Sequence, residues 1–153
     1  MVNVNFAKNE HIDLISEFEN ICFKSEAYSF DMLKEMLKDN YLLKNNDNIF
    51  EISNEEELIG YIIFHVSDDF TDIYKIFIRD SDKRKGYASM LLNKVIEIAK
   101  RYNSKKLMVE VRSKNEVAIN FYLKNEFTKI STRNNYYKNP SDDALILERR
   151  LEC

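Results

Sequence analysis

The segment from residue 72 to residue 112 constrains the fold more than any other part of this 153-residue chain. It reads as an apolar strand (DIYKIFI, 72–78), a cationic turn, an amphipathic helix and a second apolar strand (KKLMVEVR, 105–112). A connection of helix length joins strands that run parallel, because the chain must return to the same end of the sheet before the second strand begins. The sequence therefore predicts a β-α-β unit within the domain.

Alternating and helical patterns predict the elements around this unit. Further strands are predicted at 2–6, 48–52, 57–66, 127–131 and 143–151. Helices are predicted along the apolar stripes Leu14-Ile15-Phe18-Ile21-Cys22, Phe30-Leu33-Leu37, Leu91-Leu92-Val95-Ile96-Ala99-Tyr102 and Val117-Ala118-Phe121-Tyr122. The short polar connection SDDF predicts that 57–66 and 72–78 form an antiparallel hairpin. The expected fold class is mixed α/β, a single domain over 1–153 whose central sheet is mixed but largely antiparallel, with helices on both faces.

Composition excludes several classes of function. The net charge of −3 gives no general electrostatic case for binding nucleic acid, so no direct nucleic-acid partner is expected. The two cysteines, Cys22 and Cys153, form no metal-binding pattern and no disulfide framework. No run of 18 apolar residues and no signal peptide is present, so we expect a cytoplasmic protein without a membrane partner.

The cationic turn points to an anionic ligand. Lys83, Arg84 and Lys85 precede Gly86, which stands directly before the helix. A helix start has unpaired N–H groups and the positive end of the helix dipole, and glycine lets a ligand approach the backbone closely. The alternative is a solvated turn with a flexible entry into the helix.

Other phosphate-binding and hydrolytic motifs are not supported. The dinucleotide pattern G-x-G-x-x-G cannot occur, because the chain has only Gly60 and Gly86, and the P-loop fails because Tyr87 follows Gly86. A serine or cysteine hydrolase is weakly supported, since His11 and His65 are the only histidines. His65 alternates within a strand and is interpreted as structural.

Two segments carry a resemblance to the GCN5-related N-acetyltransferases (GNAT), closest to the bacterial ribosomal-protein alanine N-acetyltransferase group. The turn KRKGYA resembles the pyrophosphate loop Gln/Arg-x-x-Gly-x-Gly/Ala, and LMVEVRSKNEVAINFYLKNEF resembles that group's Leu-x-x-Glu-Val-x-x-x-Asn-x-x-Ala-x-x-x-Tyr-x-x-x-Gly-Phe segment. The tail RNNYYKNPSDDALILERRL is similar to its Arg-x-x-Tyr-Tyr and Asp-Ala-x-x-Met ending. The resemblance covers nearly the whole chain and implies the GNAT-like sheet.

Five positions depart from the family pattern. Lys83 replaces the usual Gln or Arg, Glu126 replaces a Gly, and Leu147 replaces a Met. Asp80 and Asp82 replace a Pro and an aromatic residue ahead of the loop. If this acidic pair faced the phosphates of a ligand, it would weaken the affinity by like-charge repulsion.

The resemblance implies acetyl-CoA as cosubstrate and no metal. Its pyrophosphate would lie on the turn and helix start, and its pantetheine arm would pair with the splayed strand of about 74–78 like an added strand. The implied coenzyme-binding residues are Ile76, Phe77, Ile78, Lys83, Arg84, Lys85, Gly86, Tyr87, Ala88, Ser89, Asn115 and Tyr122. For Asn115 an N-cap of the following helix is an equally good interpretation, and the two roles are compatible.

Glu110 and Tyr122 match the family's base and acid. Glu110 lies in the middle of a β-rich strand, where a carboxylate is unusual unless it is paired or functional. It would accept the proton of the attacking amine directly or through a water, and Tyr122 would donate a proton to the departing sulfur. The alternatives are a Glu110 paired with a neighbouring Lys or Arg, and a Tyr122 that only packs beside Phe121.

The expected acceptor is the N-terminal α-amine of a protein such as a ribosomal protein. Tyr136 and Tyr137, expected in the loop between the last two strands, would shape the peptide cleft or simply pack. A lysine side chain or a small amine on the same scaffold is the alternative acceptor. A coenzyme-A-binding module without turnover is the alternative outside enzymes.

Overall fold

A computed structural model of the protein describes residues 1–37, 43–55 and 57–151. These residues form a seven-stranded sheet in the order β1-β2-β3-β4-β5-β7-β6. The strands are β1 (Val2–Phe6), β2 (Asp47–Asn54), β3 (Glu57–Val66), β4 (Phe70–Ile78), β5 (Lys106–Arg112), β6 (Thr128–Tyr137) and β7 (Asp142–Arg150). The α-helices are α1 (Ile12–Cys22), α2 (Phe30–Met36), α3 (Tyr87–Arg101) and α4 (Glu116–Lys124). None of these helices is long and apolar enough to cross a membrane.

Helices cover both faces of the sheet. On one face, α1 and α2 bury Ile15 and Leu33 against β2 and β3. On the other face, α3 buries Leu91 and Val95, together with Tyr122 of α4. β4 and β5 are parallel and every other neighbouring pair is antiparallel. This arrangement confirms the predicted mixed, largely antiparallel sheet and the β-α-β unit.

The predicted apolar stripe of α1 is wrong at three positions, Leu14, Ile21 and Cys22, which are all exposed. Leu14 is 37% exposed and Ile21 is 62% exposed, whereas Ile12, Ile15 and Glu19 are buried. The helix is rotated because the Glu19 carboxylate faces the sheet and accepts hydrogen bonds there. A buried carboxylate in the middle of the stripe is invisible to a pattern that counts only apolar residues.

The C-terminal elements also differ from the prediction. Val117, assigned to the apolar stripe of α4, is 83% exposed, because the buried side of this short helix runs through Ala118 and Tyr122. β6 extends well beyond the predicted 127–131 and includes Tyr136 and Tyr137, which the sequence analysis assigned to a loop. Its residues are mostly polar and lack the apolar alternation that predicts a strand. Two register shifts also interrupt its ladder with β7.

An extra residue bends β4 away from β5. Ile63 pairs with Lys75 and Phe64 pairs with Ile73, so Tyr74 is one residue more than β3 can match. Such a bulge kinks the strand and increases its twist. The parallel ladder with β5 ends at the same point, with the pair formed by Ile73 and Val109.

The bent half of β4 lies tightly against Gly60 of β3. A Cβ atom at Gly60 would stand 2.2 Å from the carbonyl oxygen of Phe77 and 2.7 Å from Cδ1 of Ile78. Contact with a backbone atom at this distance cannot be relieved by rotating a side chain. Gly60 therefore sets how close the outer half of β4 can come to β3.

We expect Gly60→Ala to lower the free energy of unfolding by about 1–3 kcal/mol, the usual cost of overpacking, as measured by urea denaturation. Gly86→Ala adds the same methyl group where no atom lies within 4 Å, so it pays only the conformational cost of its φ of +83°, about 1–2 kcal/mol. Only Gly60→Ala should also change the amide NMR shifts of residues 76–78. A Gly60→Ala protein with wild-type stability would show that β4 shifts at no cost.

Candidate active site

The site lies where β4 and β5 separate. Past Ile73 and Val109 the two strands share no ladder, and β5 continues to pair with β7 up to Arg112. α3 and α4 begin at this same carboxyl end of the two strands. Of the predicted arm-binding residues, Ile78 is buried, whereas Ile76 and Phe77 are half-buried. Such a gap beyond the strand ends is the usual ligand position in sheets with parallel strands.

The turn before α3 presents a row of backbone donors. Gly86 adopts the left-handed conformation, and so does Arg84, with a φ of +66°. The first intrahelical bond runs from the Met90 N–H to the Gly86 carbonyl at 3.2 Å. In the described residues the amides of 84–89 donate to no protein acceptor, which leaves the predicted donors of Tyr87, Ala88 and Ser89 available. This arrangement is suited to an anion.

The acidic residues of the turn are neutralised within it. Asp82 accepts hydrogen bonds from Arg79 and, at 3.4 Å, from Lys85. The bond from Arg79 holds the pKa of the Asp82 carboxyl below its usual value. Asp80 forms an ion pair of 2.8 Å with Lys83.

These contacts leave one cation of the turn uncommitted. Arg84 has no ion pair with any described residue, whereas Lys83 and Lys85 each have an acidic partner. Two of the positions that depart from the family pattern, Lys83 and Asp80, therefore neutralise each other's charge. Arg84 is the side chain of the turn best able to meet an anionic ligand.

Glu110 projects from β5 on the face opposite the α3 core. Leu107, Val109 and Val111 alternate with it and are buried, as predicted. The Glu110 side chain is 34% exposed, and its Oε1 atom lies 3.3 Å from Nη1 of Arg133 on β6. The ion pair that the sequence analysis kept as an alternative is therefore present, and it leaves the carboxylate open to solvent on one side.

Tyr122 lies on the α3 side of the sheet. Its ring packs edge-on against Phe121 and Phe127, with centroids 5.2 and 5.1 Å away. Burial raises the pKa of the Tyr122 phenol far above its ordinary value, so the hydroxyl keeps its proton. The described residues offer this hydroxyl no hydrogen-bond partner, yet they contain no buried side-chain N or O atom without a partner. The hydroxyl therefore keeps a small contact with solvent, although the residue as a whole is buried.

The start of α4 is fixed by two polar side chains. Asn115 Oδ1 accepts a hydrogen bond from the Ala118 amide at 3.1 Å, so the N-cap interpretation of Asn115 is confirmed. Asp142, at the start of β7, accepts from the Ser113 hydroxyl and, at 3.1 Å, from the Lys114 amide. The Ser113 bond holds the pKa of Asp142 below its usual value. These contacts anchor the helix that carries Tyr122.

Further titratable groups lie on the Glu110 face. His65 Nδ1 lies 2.7 Å from Asp47 Oδ1, a contact that fits the structural interpretation of this histidine. Asp72 pairs with His65 across the β3–β4 ladder, and burial raises the pKa of Asp72, with a smaller contribution from Glu110. Among the described residues, no cluster of three or more His, Cys, Asp or Glu side chains has the geometry of a metal site.

The sequence analysis missed several side chains on the face of the sheet that carries Glu110, called the acceptor side below. Arg112, two residues after Glu110 on the same face, binds the Glu26 carboxylate at 2.6 Å and lies 4.4 Å from the ring centroid of Tyr137. Lys75 of β4 binds the buried Glu19 at 2.7 Å. Its place on the same face as Glu110 was a signal for Arg112, but the contact with Glu26 spans a sequence separation of 86 and could not be predicted.

The chain is similar to known proteins over most of its length. The Acetyltransferase (GNAT) family matches residues 12–127. The ribosomal protein bS18-alanine N-acetyltransferase of Haemophilus influenzae is 30% identical over 143 residues, which cover 84% of this chain and 97% of the relative. The crystal structure of the ribosomal-protein-S18-alanine N-acetyltransferase from Escherichia coli has a TM-score of 0.81 at 20% identity, covering 100% of this chain and 96% of that one.

A GNAT family acetyltransferase from Elizabethkingia anophelis, solved with acetyl-CoA bound, has a TM-score of 0.75 at 16% identity and covers 98% of both chains. At these identities the solved structures establish the fold. The family match spans most of the chain and includes the turn, α3, β5 and α4. The protein therefore belongs to the GNAT family and is an acyltransferase.

Proposed function

We propose that the protein transfers the acetyl group of acetyl-CoA to the α-amine of a protein N-terminus, in the manner named for its bS18-alanine N-acetyltransferase relative. The observation that carries this proposal is the gap between β4 and β5. It has free backbone donors at the start of α3, Glu110 on one face of the sheet and Tyr122 on the other. If the acetyl group were held in this gap, the attacking amine would approach it from the Glu110 face and the acid Tyr122 would approach it from the opposite face.

The coenzyme would be held mostly by main-chain groups. Its diphosphate would lie on the amides of 84–89, close to Arg84, and the amides of the pantetheine arm would pair with Ile76–Ile78 on the open side of β4. Asn115 caps α4 through its Oδ1 atom, which leaves its Nδ2 donor for the arm. In this assignment Lys83 and Lys85 act mainly by neutralising Asp80 and Asp82.

The chemistry requires one proton to leave the amine and one to reach sulfur. The amine nitrogen attacks the thioester carbonyl carbon, and Glu110 accepts the amine proton directly or through a water. Collapse of the tetrahedral intermediate breaks the C–S bond and releases a thiolate, whose thiol has an ordinary pKa of about 8.5. Tyr122 donates a hydrogen bond that stabilises the departing thiolate, and because the phenol keeps its own proton, the proton that the free thiol finally carries comes from water.

The first prediction about function concerns the coenzyme. Arg84→Gln should weaken coenzyme A binding roughly tenfold, because it removes a charge-assisted hydrogen bond to the diphosphate. Lys83→Gln is the matched control and should change the affinity by about twofold or less, because Lys83 already has Asp80 as its partner. Isothermal titration at fixed ionic strength measures both. Equal losses would mean that the turn attracts the coenzyme only through its overall charge.

The second prediction concerns the acceptor. When one peptide offers both a free N-terminal alanine and a lysine side chain, acetyl should go mainly to the α-amine, because that amine is partly neutral near pH 7. Tandem mass spectrometry of the product locates the acetyl group. Acetyl found mainly on the lysine would favour the alternative acceptor, and coenzyme binding without thiol release would favour the non-catalytic module.

The third prediction separates the two catalytic residues. Glu110→Gln keeps the shape of the side chain and removes the base, so kcat should fall by roughly 10²–10⁴. The loss should shrink as the pH rises past about 8, since the α-amine is then neutral without help. Tyr122→Phe should lower kcat without that recovery. A Glu110→Gln enzyme with near-normal turnover at pH 7 would return Glu110 to the ion-pair interpretation.

A further inference from the structure

A single guanidinium joins three segments on the acceptor side. Arg112 Nε and Nη2 lie 3.1 and 2.6 Å from Oε2 of Glu26, in the 3₁₀ turn Lys24–Glu26. Its Nη1 donates to the Pro140 carbonyl at 2.7 Å, and its Nη2 also donates to the Lys138 carbonyl at 3.3 Å. The guanidinium lies over the Tyr137 ring. The end of β5 is thus connected both to the 24–26 turn and to the turn between β6 and β7.

The 24–26 turn also contacts the neighbouring strand β4. The main-chain carbonyl of Glu26 accepts a hydrogen bond from Lys75, the residue that follows the extra residue of β4. Lys75 also binds the fully buried Glu19 carboxylate, to which Tyr61 donates at 2.5 Å. Glu26 therefore contacts both of the separated strands. Its main chain contacts β4 and its side chain contacts β5.

We propose that Arg112 and Glu26 are positioning residues that bridge the separated ends of β4 and β5. The bridge fixes the width of the acceptor opening, which is the space in front of Glu110 between residues 24–28 and 137–140 through which the amine would approach. The inference rests on the proposed function for the identity of the acceptor as a peptide amine. The bridge ties the 24–28 segment and the 137–140 segment to Arg112, which lies two residues beyond Glu110 on the same face of β5. It acts on the binding of the acceptor, not on the coenzyme, whose proposed contacts lie at the start of α3.

The geometry separates this bridge from an ordinary surface ion pair. The Arg112 side chain is 20% exposed, and all three of its nitrogen atoms have partners. Exposed single pairs contribute little, but a planar fork that meets a carboxylate and two carbonyls fixes an orientation. A lysine has one compact charged group, so it cannot meet the same set of acceptors.

Arg149 provides a matched control. Its side chain is also 20% exposed, and it binds a carboxylate, Glu126, at 3.1 Å and a carbonyl, that of Asn125, at 3.0 Å. Arg149 lies on the α4 face of the sheet, two residues from the core residue Leu147, and is remote from the Glu110 face. A variant at Arg149 therefore removes similar contacts without touching the acceptor opening.

The kinetic test compares Arg112→Gln, Arg112→Lys and Arg149→Gln, each first checked for a cooperative thermal transition. Both Arg112 variants should raise KM for an Ala-initiated peptide on the order of tenfold and change KM for acetyl-CoA by less than about twofold. Arg149→Gln should change neither constant. Equal rises for Arg112→Gln and Arg149→Gln, or a wild-type peptide KM in Arg112→Gln, would overturn the proposal.

Hydrogen exchange provides a test that needs no turnover. Arg112→Gln should speed amide exchange in both 24–28 and 137–140. Glu26→Gln should speed it in 24–28 alone, because Arg112 still binds the carbonyls of the other turn. Faster exchange in neither segment of the Arg112→Gln protein would overturn the bridge. If the wild-type enzyme acetylates no peptide, the proposed acceptor is wrong, and the exchange result alone decides whether the bridge exists.

Discussion

The parallel ladder between β4 and β5 stops at Ile73 and Val109, and the rest of the site depends on that stop. One extra residue, Tyr74, bends β4 at that point. The bend frees main-chain groups on one side of β4 without unpairing it from β3, so the sheet keeps its integrity. It also leaves open the space beside the starts of α3 and α4, next to the unpaired backbone donors of the turn and to Glu110, the first residue of β5 beyond the ladder.

A buried carboxylate keeps the bent half of β4 in place. Glu19 of α1 is fully buried and accepts from Lys75, from the Tyr61 hydroxyl and, at 2.9 Å, from the Tyr28 amide. Burial, with Glu19 nearby, raises the pKa of Tyr61 well above its ordinary value, so its hydroxyl remains a donor. Removing one partner from such a set leaves an uncompensated buried charge, which is strongly destabilising. The contact therefore ties α1 to β4 directly beyond the extra residue.

Features that depend on local sequence patterns could be predicted, whereas features that depend on contacts between distant residues could not. The β-α-β unit follows from apolar strands with an amphipathic helix between them, and the N-cap role of Asn115 follows from its place before a helix. The position of Glu19 could not be predicted, because a buried acid needs partners 42 and 56 residues away in Tyr61 and Lys75. The strand character of Tyr136 and Tyr137 was missed because its ladder with β7, not its own composition, makes β6 a strand.

The surroundings of Glu110 bear on which amine the enzyme accepts. The Glu110 side chain is one-third exposed and paired with Arg133, so it stays in contact with water. About a tenth of an α-amine is neutral at pH 7, whereas a lysine near its ordinary pKa is only about 0.04% neutral. The same site would thus act on a lysine at a disadvantage of roughly 200-fold before any contact with the peptide is counted. The proposed acceptor, a protein N-terminus, therefore needs much less help from the proposed base Glu110 than a side-chain amine would need.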